Sequence, residues 1–228
     1  GYKLVIVMPE NMAHEKIALI RQFGAEVLLT PAAEGMAGAI RKVEMLKARS
    51  ENLIEFKQFE NQANVEAHQL TTSVEIMEDT GGNVDALVCG VGTAGTITGI
   101  ASALKSCIPD LYVLAVEPAE SPVLSGGQKG AHRIGGIGAG FVPPLYRPEL
   151  VDEVYKVSSK DALDMTKIVA QNEGLPVGVS AAAALTAAIN LAKRDEMASK
   201  NIVVILPDSI ERYLSDPYFN DEQVESQD

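Results

Sequence analysis

Short apolar runs rich in β-branched residues, at residues 4–8, 26–30, 85–89, 113–117, 154–157 and 202–206, alternate with segments of helical period. Strands separated by helices pair in parallel, so this alternation points to an α/β fold: open, mostly parallel sheets with helices on both faces. Helices are expected at residues 13–23, 36–48, 64–78, 96–106, 160–172 and 182–192. Gly24 and Gly174 stand where a left-handed C-terminal cap belongs, and Ser158 with Asp161 has the pattern of an N-terminal cap. Residues 121–148 are rich in Gly and Pro without helical or strand period. A segment that long is expected to line a site or act as a lid.

Nineteen Lys and Arg against 31 Asp and Glu give a formal charge of −12. Such a balance disfavours nucleic acid or an anionic membrane as partner and leaves a small substrate or a protein. Cys89 and Cys107 show neither a disulfide framework nor metal spacing, and no stretch nears the length of a membrane span, which together suggest a reducing cytoplasm. His14, His68 and His132 are scattered without ligand or catalytic spacing and read as structural or solvated. The chain starts at Gly1 directly before a strand-like run, which reads as a cut edge; a tag residue on a complete domain is the alternative.

The sharpest local feature is the buried run Asp85-Ala86-Leu87-Val88-Cys89 followed by Gly90-Val91-Gly92-Thr93-Ala94-Gly95-Thr96, a strand entering a glycine-rich turn and then a helix. Backbone N–H groups in such a turn face one concavity, and the helix dipole adds positive character there. The turn is therefore expected to cradle an anion, with Thr93 and Thr96 adding hydroxyl donors. Gly90, Gly92 and Gly95 also spell G-x-G-x-x-G, with Glu117 ending the next strand, the pattern of a dinucleotide site. Against that reading, the strand follows other α/β units, Pro118 comes directly after Glu117, and two threonines line the turn. A purely structural glycine turn is the third reading.

Seven segments carry a family resemblance over nearly the whole chain: Met8-Pro9-Glu10-Asn11-Met12, Gln58-Phe59-Glu60-Asn61-Gln62-Ala63-Asn64, the glycine-rich turn, Val116-Glu117-Pro118, Ser121-Pro122-Val123-Leu124-Ser125-Gly126-Gly127, Gly136-Ile137-Gly138-Ala139-Gly140-Phe141, and Pro207-Asp208-Ser209-Ile210-Glu211-Arg212-Tyr213-Leu214-Ser215. In this order they resemble the cysteine synthase (O-acetylserine sulfhydrylase) family. The resemblance implies fold type II of the pyridoxal-phosphate enzymes, two α/β domains with the cofactor between them, as a homodimer. It also implies β-replacement, in which acetate leaves O-acetylserine and sulfide is added to give cysteine. By motif, Gly92, Thr93, Ala94, Gly95 and Thr96 would hold the cofactor phosphate. Ala181 occupies the position that meets the pyridine nitrogen. Gln58 would face the substrate, and Gly136, Ile137, Gly138 and Ala139 would form the loop at the mouth of the cleft.

Departures from the family pattern shape the functional expectation. The family lysine that carries the cofactor and moves the substrate α-proton, and the Thr-Ser-Gly-Asn-Thr loop that grips the substrate carboxylate, are expected to precede Gly1. Lys3, Lys16, Lys42 and Lys57 match other parts of the family, so no catalytic residue is assigned. Ala181 stands where the family has serine, and Ala94, Ala182 and Ile210 stand where it has glycine. Any of these three glycines that holds positive φ would make its replacement cost on the order of 1 kcal/mol. The expected organisation is a remainder of the smaller domain at residues 1–60, a phosphate-binding domain at 61–219 and a disordered acidic tail at 220–228. The expected function is that of a cysteine synthase-like protein, inactive as given. The alternative is a non-enzymatic sensor that keeps the cleft for a metabolite or a partner's C-terminal peptide.

Overall fold

Each of the six apolar runs forms a strand in the computed structural model, which describes residues 1–50, 52–214 and 216–220. The chain divides into two units, residues 1–54 with the C-terminal stretch from Ser209, and Glu55–Asp208. The expected acidic tail lies, beyond Asn220, outside the described residues.

In the first unit β1 (Val5–Pro9) pairs in parallel with β2 (Glu26–Thr30), Val5 opposite Glu26 and Pro9 opposite Thr30. The crossover is α1 (His14–Gln22), which ends with Gly24 at φ +85°, the left-handed stop expected there. Helix α2 (Gly35–Lys47) packs on β1. Of the apolar side chains in this unit only Met8, Pro9, Ile17 and Ala39 are buried among the described residues.

The second unit opens with α3 (Ala63–Leu70) and α4 (Thr72–Thr80). A single helix over 64–78 is thus corrected to two. Thr71 leaves helical geometry at φ −121°, ψ −72°, while its hydroxyl donates to the Ala67 carbonyl at 2.7 Å and that of Ser73 to the Gln69 carbonyl at 2.6 Å. Side-chain hydroxyls bonding back to the preceding turn compete with the backbone ladder, and two in three residues break it.

Strands β3 (Ala86–Gly90), β4 (Tyr112–Pro118), β5 (Glu153–Val157) and β6 (Ile202–Val204) follow, with α5 (Gly95–Cys107) between β3 and β4, and α6 (Ser159–Glu173) and α7 (Val179–Ala192) between β5 and β6. The sheet is parallel throughout in the order β5-β4-β3-β6. Leu87, Val88, Val113, Leu114, Ala115 and Val116 are fully enclosed, the continuous apolar pattern of strands covered on both faces. The chain moves outward from β3 to β5 and then returns to place β6 on the other side of β3. The order therefore reverses beside β3, and ligands in open α/β sheets bind at the carboxyl ends of strands at such a reversal. Ser158 caps α6, accepting from the Asp161 N–H at 3.1 Å, and Gly174 ends that helix in the left-handed region, both as expected.

Candidate anion and cofactor site

The carboxyl end of β3 runs into the turn from Gly90 to Gly95, and the first helical hydrogen bond of α5 is Thr98 N–H to Ala94 carbonyl. Ahead of it, the backbone N–H groups of Gly92, Thr93, Ala94 and Thr96 have no partner among the described residues. Four free donors therefore stand at the N-terminus of a 13-residue helix, a geometry able to receive an anion. Ala94 achieves this in the left-handed region, at φ +69° and ψ 0°.

The walls of the turn come from three other segments. A Cβ on Gly92 would overlap the Gly136 carbonyl oxygen, and one on Gly90 would lie 2.9 Å from the Ile137 side chain. The Gly138 N–H donates to the Val91 carbonyl at 3.0 Å, so the Gly136-Ile137-Gly138-Ala139 loop is seated on the turn. The N-terminus of α7 adjoins both: the Ser180 carbonyl oxygen is 4.0 Å from a Cβ on Gly90, and the Ser180 hydroxyl is 3.5 Å from one on Gly136. Ala181 and Ala182 sit in the first turn of α7, fully buried and without positive φ.

Asp208, just past β6, caps α7. Its carboxylate accepts from the Ala181 N–H at 2.8 Å and the Ser180 N–H at 3.4 Å, and its backbone carbonyl accepts from the Gly178 N–H at 2.9 Å. Gln58 is exposed and its side chain makes no hydrogen bond among the described residues. Its backbone carbonyl accepts from the Asn64 side chain at 3.0 Å, and Phe59 stacks edge-on against Phe141 with ring centroids 5.0 Å apart. These contacts tie the Gln58 segment both to the turn and to the end of the Gly136–Phe141 loop.

Two residues behind the turn were given no site role by the sequence: Asn64 ends one of the family segments, and His68 was expected to be structural or solvated. Asn64 donates to the Thr93 hydroxyl at 2.9 Å, and His68 pairs through Nε2 with the Thr96 hydroxyl at 3.1 Å and through Nδ1 with the Thr72 hydroxyl at 2.9 Å. Burial holds the His68 pKa below the ordinary histidine value, which favours the neutral ring. Neither role is legible from spacing, because each depends on a contact about 30 residues distant.

Glu117 separates the readings left open above. It is 1% exposed, and its carboxylate accepts from the Leu124 N–H at 2.8 Å, the Ser125 N–H at 3.1 Å and the Ser125 hydroxyl at 2.5 Å. A carboxylate spent on folding its own loop does not receive a ribose hydroxyl, so the dinucleotide reading fails. Residues 121–148 indeed contain neither α-helix nor strand up to the short 3-10 turn that starts at Pro148, yet they are fastened along their length. Besides the Glu117 bonds, Arg133 N–H donates to the Ser159 hydroxyl, His132 Nε2 meets the Gly138 carbonyl, and the Thr98 hydroxyl donates to the Leu145 carbonyl.

Among the described residues, no group of His, Cys, Asp and Glu can hold a metal ion, and no helix is long and apolar enough to cross a membrane. Burial pushes the Cys89 thiol pKa strongly upward, so that side chain is an inert apolar filler of β3.

The model of a family described as pyridoxal-phosphate dependent enzyme matches residues 1–208. Over 221 residues the chain is 44% identical to a cysteine synthase of Staphylococcus aureus, covering 96% of this chain and 71% of that protein. A solved cysteine synthase from Entamoeba histolytica is 42% identical and superimposes with a TM-score of 0.90; the match takes in 96% of this chain and 65% of that one. An O-acetylserine-dependent cystathionine β-synthase from Helicobacter pylori is 37% identical at a TM-score of 0.89, covering 93% of this chain and 69% of that one. The chain thus spans just under two thirds of the length of the Entamoeba enzyme.

Proposed function

Because the chain belongs to the pyridoxal-phosphate-dependent enzyme family and has the fold type II architecture of the cysteine synthases, we propose that it is the cofactor-anchoring part of a β-replacement enzyme that makes cysteine from O-acetylserine and sulfide. The observation that carries this reading is the turn at Gly92–Thr96. Pyridoxal phosphate bears a phosphate dianion, and the turn offers free N–H donors at a helix N-terminus with two threonine hydroxyls beside them. Gly92, Thr93, Ala94, Gly95 and Thr96 would hold that group, the Gly136–Ala139 loop would wall the site, and Gln58 would meet substrate with an amide that both donates and accepts.

The cofactor supplies the electron sink for loss of a β-substituent. This chain's residues anchor, orient and enclose it. Proton transfer at the substrate α-carbon needs an amine, which by the family resemblance is a lysine, and Lys3, Lys16, Lys42 and Lys57 stand in segments that match other parts of the family. Lys57, Lys105, Lys160 and Lys200 are moreover paired with Glu60, Asp152, Asp164 and Asp85. The 228 residues alone are therefore catalytically incompetent in this reading, and activity returns with a segment that contributes the lysine. The reading includes a homodimer and a cytoplasmic setting, the latter supported by two free thiols.

A sulfide-dependent cysteine assay with O-acetylserine tests the proposal on the 228-residue chain and on the same chain joined to a lysine-bearing N-terminal segment. Product is expected from the second alone. Product from the unextended chain would refute the argument from the lysines. No product from either would favour a second reading, a sensor for an amino-acid metabolite or a partner's C-terminal peptide. One observation supports it: Ala181 brings no polar side chain to the base of the site, and the Ser180 hydroxyl beside it makes no hydrogen bond among the described residues.

A further inference from the structure

We propose that Asn64 is a positioning residue that commits the Thr93 hydroxyl to the bound anion and couples the anion turn to the Gln58 segment. The inference rests on the reading of Gly92–Thr96 as a phosphate anchor. A threonine hydroxyl has one proton to give and two lone pairs to receive. Thr93 Oγ1 receives from Asn64 Nδ2 at 2.9 Å and from the Gly95 N–H at 3.3 Å, so both acceptor positions are filled. What remains is its own proton, and Thr93 is left as a pure donor at a turn whose free N–H groups await an anion. Without Asn64 the hydroxyl regains an acceptor site and its orientation is no longer fixed.

The same amide nitrogen donates its second proton to the Gln58 carbonyl at 3.0 Å. The two donors of one planar group therefore link the wall of the phosphate turn to the strip that carries the substrate-facing amide. Position 95 makes room for this link, because a Cβ there would overlap the Asn64 amide. The helix dipole and the backbone N–H groups bind any anion in general terms; Asn64 connects that event to a second part of the site six residues away along the chain.

Inorganic phosphate is the probe, followed by backbone amide chemical shifts of Gly92, Thr93, Ala94 and Thr96 and side-chain amide shifts of Asn64 and Gln58. In the unaltered chain the Asn64 side-chain protons should shift along the same titration curve as the turn amides, with Gln58 following. Asn64→Ala and Thr93→Val should each weaken phosphate binding about tenfold, as expected for a hydrogen bond to a charged group. The double variant should be no weaker than Thr93→Val alone, because one residue acts through the other. In Asn64→Ala the Gln58 response should vanish. Phosphate affinity unchanged in Asn64→Ala, or losses that multiply in the double variant, would overturn the inference and leave the anchor reading intact. Absence of any phosphate response in the unaltered chain would bring down anchor and inference together. If Asn64→Ala does not fold, the unaltered chain still decides, since Asn64 protons indifferent to phosphate contradict the coupling.

Discussion

Ala94 holds a backbone conformation that an L-residue adopts at a cost of roughly 1–2 kcal/mol, and holds it at the point where the turn must present its N–H groups. Replacing it with glycine relieves that strain but loses a buried methyl worth roughly 0.8 kcal/mol and adds unfolded-state entropy of roughly 0.5 kcal/mol. Ala94→Gly is therefore expected to be nearly neutral in urea unfolding. Ala101→Gly, equally buried but within α5, should cost about 1.5 kcal/mol because helix propensity and burial are both lost. Equal costs at the two positions would contradict the strain argument. The sequence raised the same question at Ala94, Ala182 and Ile210 together, and only φ separates them: Ala182 lies in a helix and Ile210 in a 3-10 turn, neither at positive φ. The turn itself was readable because glycine spacing encodes a local shape. Asn64 and His68 were not, because their roles depend on which helix α5 lies against.

At the level of elements, α7 shows how a helix can be set in place from beyond its own sequence. None of its first-turn residues caps it by a side chain; the carboxylate of Asp208, at the far end of the β6 crossover, does so instead. Asp208→Ala should destabilise the chain by about 1–2 kcal/mol, as for loss of a helix cap, and Asp208→Asn by less, since an amide oxygen still accepts from the Ala181 N–H. Thermal or urea unfolding of the two variants measures the difference, and an equal loss in both would mean that charge rather than the hydrogen bond matters. Strands and most helices were legible from apolar period, since a covered parallel sheet demands it. The break at Thr71 was not, because Thr71 and Ser73 fit a helix by period and interrupt it through their hydroxyls.

Across the whole molecule the two units differ in what holds them. The Glu55–Asp208 unit has four strands and nearly all of the buried apolar side chains, whereas the other rests a two-stranded sheet on Met8, Pro9, Ile17 and Ala39. Two strands are marginal by themselves, so hydrogen exchange should reach the amides of β1 and β2 well before those of β3 and β4. Mass-resolved exchange of peptides spanning 4–30 and 86–118 checks this, and equal protection would show that the smaller unit is held as firmly as the larger. The strand order also has a meaning in time. Strand β3 receives its second neighbour only from β6, so the edge from Ala86 to Val88 stays bare until the chain has been made through residue 204. At ribosomal speeds of about 5–20 residues per second that delay is of order ten seconds, during which an apolar strand edge of the nascent chain lies open to any passing β-edge. Newly made chains should therefore need a chaperone more than finished ones do.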